Sequence, residues 1–179
     1  MAHNPSWEAP KVNTEAQEGE KEMAASTHAR ILVIDDDEGI RESLATVLKE
    51  EGYVVDVAEN GQEAIRKSKE SYYNLALVDL RLPDMDGTRL LTEMRETVPH
   101  LVKIIITGYP SLENAIEAAN RGADAYMTKP YTMEDLLRTI KEHLKKQEEA
   151  RRYSERKVKE FIEGRFEESQ AKPEEQSTK

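Results

Sequence analysis

The chain has 179 residues, 35% of them charged and 37% hydrophobic, with a formal net charge of −10. That is enough for one domain with flanking segments, and the absence of Cys excludes disulfides and thiolate metal sites while allowing a reducing compartment. Residues 29–144 carry 22 acidic against 14 basic side chains, a balance that argues against non-specific nucleic-acid binding there and suits a site that gathers carboxylates around a cation.

The N-terminus lacks the apolar core of a signal peptide. The longest apolar run, around Leu101–Ile106, is too short to span a bilayer. The expected location is therefore the cytoplasm, without membrane insertion.

Residues 1–28 hold Pro5, Pro10, several Glu and Gln, and no periodicity, and read as a disordered acidic leader. A lone aromatic there, Trp7, carries no signal of its own. Order begins near Arg30 with a buried strand, Ile31–Ile34, that runs into Asp35, Asp36 and Asp37. The following helix has Ile40, Leu44, Val47 and Leu48 at helical spacing and ends at Gly52. Tyr53–Ala58 alternates as a second strand, and Asn60-Gly61 turns the chain into a short helix carrying Ala64 and Ile65. A third strand ends at Asp79 and gives way to a loop marked by Pro83 and Gly87. The next helix, over about Thr88–Val98, buries Leu90, Leu91 and Met94 and is stopped by Pro99.

Val102–Ile106 is the fourth strand, ending in Thr107-Gly108. Ser111 is a predicted N-cap for a helix presenting Ala115, Ile116 and Ala119, with Gly122 after it. Ala125–Thr128 is the fifth strand, ending in Lys129-Pro130. Thr132 and Asp135 have the spacing of a capping box for a last helix starting near Met133. Five alternations of strand and helix predict an α/β fold: a parallel sheet with right-handed crossovers and helices on both faces.

The last helix shows no stop before about Ser169 except Gly164. Glu148/Arg152 and Glu155/Lys159 are favourable i,i+4 pairs. A heptad seam runs through Leu137, Ile140, Leu144, Gln147, Arg151, Ser154, Val158 and Phe161. Its polar middle favours a solvated helix over a coiled-coil dimer. From Lys172 onward the composition predicts disorder. The expected organisation is thus a leader (1–28), a domain (29–145) and a charged helical extension with a disordered end (146–179).

In an open α/β sheet the functional groups collect at the carboxyl ends of the strands. Four strand ends here supply Asp35/Asp36/Asp37, Asp79, Thr107 and Lys129. Carboxylates crowded in one pocket require raised pKa values or a compensating cation. A hard divalent ion such as Mg²⁺ suits them. An ammonium and a hydroxyl nearby are what an incoming phosphoryl group needs, and Asp79 at the centre can act as the nucleophile.

Ile31-Leu32-Val33-Ile34-Asp35-Asp36-Asp37, Leu77-Val78-Asp79-Leu80-Arg81-Leu82-Pro83-Asp84-Met85-Asp86-Gly87, Ile106-Thr107-Gly108-Tyr109 and Tyr126-Met127-Thr128-Lys129-Pro130-Tyr131 occur in that order. Together they resemble the receiver domain of two-component response regulators, over roughly residues 29–145. The resemblance implies a flavodoxin-like (βα)5 fold with strand order 2-1-3-4-5. It implies that Asp79 is the phosphoacceptor, and that Asp36, Asp79 and the Arg81 carbonyl ligate Mg²⁺, with Asp35 assisting through water. Thr107 would bind the phosphoryl group, Lys129 would pair with it, and the Lys129–Pro130 bond would be cis. Tyr126 would swing inward with Thr107, changing the surface formed by the fourth helix, the fifth strand and the start of the last helix. Arg81 and Tyr109 would flank the site.

The implied partners are a sensor histidine kinase or phosphotransfer protein and a downstream protein target, with a phosphorylation-dependent homodimer as a further expectation. The chain would be a signalling switch rather than an enzyme. Two other readings compete. Asp84-Met85-Asp86-Gly87-Thr88 resembles the nucleophile motif of haloacid-dehalogenase-type phosphatases, but Asp84 lies past Pro83 rather than at a strand end. A receiver serving a DNA-binding regulator is the other; residues 146–179 hold too few apolar residues to fold as a helix-turn-helix domain and form no basic stripe, so a stand-alone receiver is expected.

Overall fold

The computed structural model describes residues 29–98 and 100–170. The expected leader, the stop at Pro99 and the tail from Lys172 lie outside those residues. Five strands form one parallel sheet: β1 (Arg30–Ile34), β2 (Val54–Ala58), β3 (Leu75–Asp79), β4 (Val102–Thr107) and β5 (Ala125–Thr128), in the order β2-β1-β3-β4-β5. Between and after them run α1 (Glu38–Glu50), α2 (Gly61–Glu70), α3 (Gly87–Thr97), α4 (Leu112–Asn120) and α5 (Met133–Gln170). The expected flavodoxin-like α/β architecture is the observed one.

The period of two along each strand sorts the core into two layers. Ile31, Val33, Leu75, Leu77, Ile104 and Ile106 face α1 and α5, where Leu44, Leu48, Leu136, Ile140 and Leu144 meet them. Leu32, Ile34, Ala76, Val78 and Ile105 face the opposite way, onto Ala64 and Ile65 of α2, Leu90, Leu91 and Met94 of α3, and Ala118 of α4. Every residue of β4 is buried. A strand covered on both faces has to be apolar nearly throughout, which is why β1, β3 and β4 stand out in the sequence.

Local signals place most of the helix ends. Asp37, Asn60, Asp86 and Ser111 each accept a backbone N–H as N-caps. Thr132 Oγ1 accepts the Asp135 N–H at 3.1 Å and donates to the Asp135 carboxylate at 2.7 Å. Gly52 lies just past α1 at φ 89°, the left-handed conformation in which a side chain would be strained.

Three expectations need correction. α4 turns Ala118 inward, half-buries Ala115 and leaves Ile116 and Ala119 exposed. The run Ala115-Ile116-Glu117-Ala118-Ala119 offers no sharp apolar stripe, and the smallest side chain takes the place against the sheet. The first part of the heptad seam is this domain's own core: Ile140 and Leu144 are buried and Leu137 packs against them. Gln147, in the seam's polar middle, donates from Nε2 to the carbonyls of Asn74 and His100 at 2.9 and 2.7 Å, beside the N-terminal ends of β3 and β4. The Glu148/Arg152 pair forms at 2.8 Å, but Glu155 pairs with Arg151 at 2.6 Å and Lys159 with Glu163 at 3.8 Å.

Candidate functional site

The carboxyl ends of β1, β3, β4 and β5 converge, and with them the residues singled out from the sequence. Carboxylate oxygens of Asp35, Asp36 and Asp79 lie within 4.8 Å of one another. Asp35 is buried and bound from two sides: one oxygen accepts the Asp37 N–H at 3.0 Å, the other accepts from Lys129 Nζ at 2.9 Å. Arg41 reaches back from α1 to donate to the Asp35 carbonyl at 2.7 Å. Asp36 is exposed. Asp79 is rotationally fixed by the Leu80 N–H, 2.9 Å from its Oδ1, and that same oxygen stands 3.7 Å from Lys129 Nζ.

The electrostatics follow from this crowding. Burial is the largest influence on Asp79 and raises its pKa; Asp35 and Asp36 push the same way, while Lys129 and the Leu80 N–H oppose. Burial works against charge on Lys129, but the hydrogen bond and charge of Asp35, with Asp79 and Tyr131 beyond, outweigh it and raise its pKa. Lys129 is thus a fixed cation, and this one ammonium meets two of the three clustered carboxylates, Asp35 and Asp79. The remaining negative charge and the hard oxygen donors fit a divalent cation of the Mg²⁺ type.

Thr107 is fully buried, and its Oγ1 accepts the Tyr109 N–H at 3.0 Å. Its hydroxyl proton is therefore directed elsewhere. Its carbonyl accepts the Lys129 N–H at 2.7 Å, so the ends of β4 and β5 are locked together. Tyr126 pairs in register with Ile105, two residues before Thr107, so Tyr126 and Thr107 share the α2–α4 face. Its ring packs against that core, and its hydroxyl oxygen is buried with no hydrogen-bond partner among the described residues. The Lys129–Pro130 peptide is cis.

Arg81 sends its side chain over the Tyr109 ring, 3.7 Å from the centroid, while its backbone bridges to Asp86. Gly87 is required by the close approach of α3 to the strand end: a Cβ there would lie 2.5 Å from the Asp79 carbonyl oxygen and 2.9 Å from Leu80 Cα. Asp84 is not part of the cluster. Its carboxylate accepts the Gly61 and Gln62 N–H groups at 2.9 Å each, which leaves the phosphatase reading without a nucleophile at the strand ends. Neither that cap nor the Arg41 contact is marked by a spacing in the sequence: Asp84 reaches its partners across more than 20 residues, and Arg41 returns to a backbone carbonyl six residues back.

A family model described as "Response regulator receiver domain" matches residues 31–141. The response regulator receiver domain protein (CheY-like) of Methanospirillum hungatei JF-1 is 46% identical with a TM-score of 0.68, the match covering 69% of this chain and 98% of that one. The beryllofluoride-activated NtrC4 receiver domain dimer is 38% identical with a TM-score of 0.63, over 66% and 98% of the two chains. Regulatory protein AtoC of Escherichia coli is 35% identical over 60% of this chain and 23% of its own length. Transcriptional regulatory protein ResD of Bacillus subtilis is 34% identical over 69% of this chain. The chain spans between about a quarter and a half of the length of these two curated relatives, 23% and 51% respectively.

This chain belongs to the response regulator receiver domain family, the phosphorylation-operated switches of two-component systems. No helix among the described residues is long and apolar enough to cross a membrane.

Proposed function

We propose that the chain accepts a phosphoryl group on Asp79 from a phosphorylated histidine and thereby changes a protein-binding surface. The observation that carries this reading is the meeting of three carboxylates with one ammonium: oxygens of Asp35, Asp36 and Asp79 within 4.8 Å, and Lys129 Nζ 3.7 Å from Asp79. An Asp79 oxygen forms the new bond to phosphorus as the phosphorus–nitrogen bond of the donor breaks and the imidazole leaves. The Leu80 N–H sets the carboxylate's orientation for in-line approach. Lys129 exchanges its partner Asp35 for a phosphoryl oxygen, and the Thr107 hydroxyl, which accepts from Tyr109 N–H, donates its proton to another.

Asp36, Asp79 and the Arg81 carbonyl would hold Mg²⁺, with Asp35 assisting through water. When bound, the ion neutralises charge on the transferring group.

Tyr126 is the element that reads out the event. Its hydroxyl is buried without a hydrogen-bond partner among the described residues, a cost of about 1–3 kcal/mol that weakens its present packing. A pull on Thr107 along the same sheet face is then enough to shift the balance. The surface affected carries exposed Tyr109, Leu112 and Ile116, an apolar patch suited to a downstream protein or to a second copy of the chain. The chain's work is that of a cytoplasmic switch, residues 29–145 forming the receiver and 146–179 an extension. The second reading, a receiver that serves a DNA-binding regulator, is favoured by the longer relative ResD, whose name is that of a transcriptional regulatory protein.

The test is intact mass after incubation with Mg²⁺ and acetyl phosphate or a phosphorylated histidine kinase. Wild type gains one phosphoryl group, Asp79→Asn gains none, and Asp84→Asn still gains it. Label persisting on Asp79→Asn refutes the assignment.

A further inference from the structure

Asp84 ties the loop after β3 to a helix that takes no other part in the site. The first N–H groups of any helix lack partners within it. In α2, Asn60 accepts the Glu63 N–H at 2.8 Å. The Gly61 and Gln62 N–H groups are both taken, at 2.9 Å, by Asp84 from 23 and 22 residues away. Burial alone would raise the Asp84 pKa, but the N–H groups of Gly61, Gln62, Asp84 and Met85 reverse this and lower it. Met85 beside it is buried and seated against Gly61, where an added Cβ would lie 2.5 Å from its sulfur.

The other end of the same loop is closed on the strand. The Gly87 N–H donates to the Leu80 carbonyl at 2.7 Å, and Arg81 bridges to Asp86. The Leu80–Gly87 and Arg81–Asp86 contacts thus close the base of the loop, where Arg81 sits, while Asp84, three residues on, anchors its outer part to α2.

We propose that Asp84 is a positioning residue: its two-pronged cap on α2 holds the loop so that the Arg81 carbonyl faces the acidic cluster and completes a divalent-cation site. This rests on the metal reading given above. Partners that orient a ligand from outside the coordination sphere contribute strongly to affinity, and their loss costs about 10–100-fold. Asp84→Ala therefore weakens Mg²⁺ binding about tenfold, with Asp36 and Asp79 untouched.

The experiment is a Mg²⁺ titration of the unphosphorylated full chain, followed by the NMR shifts of the Leu80 and Gly87 amides. Asn60→Ala is the control: it removes another cap from the same helix end without touching the loop. The expected result is about tenfold weaker binding in Asp84→Ala, a smaller loss in Asp84→Asn, which keeps one acceptor oxygen, and unchanged affinity in Asn60→Ala. Unchanged affinity in Asp84→Ala, or an equal loss in Asn60→Ala, overturns the positioning role and leaves the metal site standing. A wild-type chain that takes up no Mg²⁺, or Asp36→Ala with full affinity, overturns the metal reading and the proposal with it. Should Asp84→Ala fail to fold, Asp84→Asn decides between the same outcomes.

Discussion

The Arg81 guanidinium carbon stands 3.7 Å from the centre of the Tyr109 ring, joining the loop after β3 to the loop after β4 across the mouth of the site. Because the Tyr109 N–H also donates to Thr107, this stack and the fully buried hydroxyl belong to one unit. Arg81→Ala removes a contact worth about 0.5–1 kcal/mol and opens a path for water. Hydrolysis of phosphorylated Asp79 should quicken about two- to fivefold. The decay of labelled phosphate measures it. Tyr109→Ala should act alike, and a decay rate indifferent to both substitutions would refute the roofing role.

Asp79 makes the fold less stable at neutral pH. Folding raises its pKa, burial being the largest cause. A group with a raised folded-state pKa contributes its stabilisation below the unfolded value, here 3.8, and loses it as pH rises through the folded value. At neutral pH the charged form is a net cost. In Mg²⁺-free buffer Asp79→Asn should therefore melt at a higher temperature than wild type at neutral pH, and the gain should shrink as pH falls toward 3.8. Thermal unfolding across that range checks it; a variant that melts lower at neutral pH contradicts the sign.

Tyr126→Phe deletes a buried hydroxyl that has no partner among the described residues. The ring's packing remains, so stability in urea should rise, by about 1 kcal/mol and no more than about 3. The inward arrangement should gain population, with stronger target binding before phosphorylation. A loss of stability would mean that the hydroxyl is satisfied in solution.

Gly87→Ala sets a Cβ against the backbone at Asp79 and Leu80, which cannot yield as a side chain would. Denaturation should show a loss of about 1–3 kcal/mol or more. Gly108→Ala meets nothing within 4 Å and should be nearly neutral, so equal costs at the two positions would discredit the close-approach argument.

The strands were legible because burial on two faces forces continuous apolar runs, and Ile31–Ile34 and Val102–Ile106 have few other uses. The site was legible for a related reason: a parallel sheet sends every strand's carboxyl end to one edge, so Asp35, Asp79, Thr107 and Lys129 had to meet. What the sequence concealed are contacts made by shape across long separations. Asp84 reads as part of a phosphatase motif until α2 is set beside it. Gln147 reads as a flaw in a heptad seam until the carbonyls of Asn74 and His100 lie beneath it. The inward side of α4 was misjudged for want of contrast among Ala115, Ile116, Ala118 and Ala119.

Gln147 has a mechanical consequence. It grips the sheet at the opposite end from the acidic cluster, and α5 runs on without a break to Gln170, about 35 Å farther at roughly 1.5 Å per residue. The helix is thus a lever whose short arm is packed on the core and whose long arm projects free of it. A tilt of about 10° at the grip sweeps the far end through about 6 Å, so a repacking too small to see at the sheet becomes a displacement that any neighbour of the free end can feel.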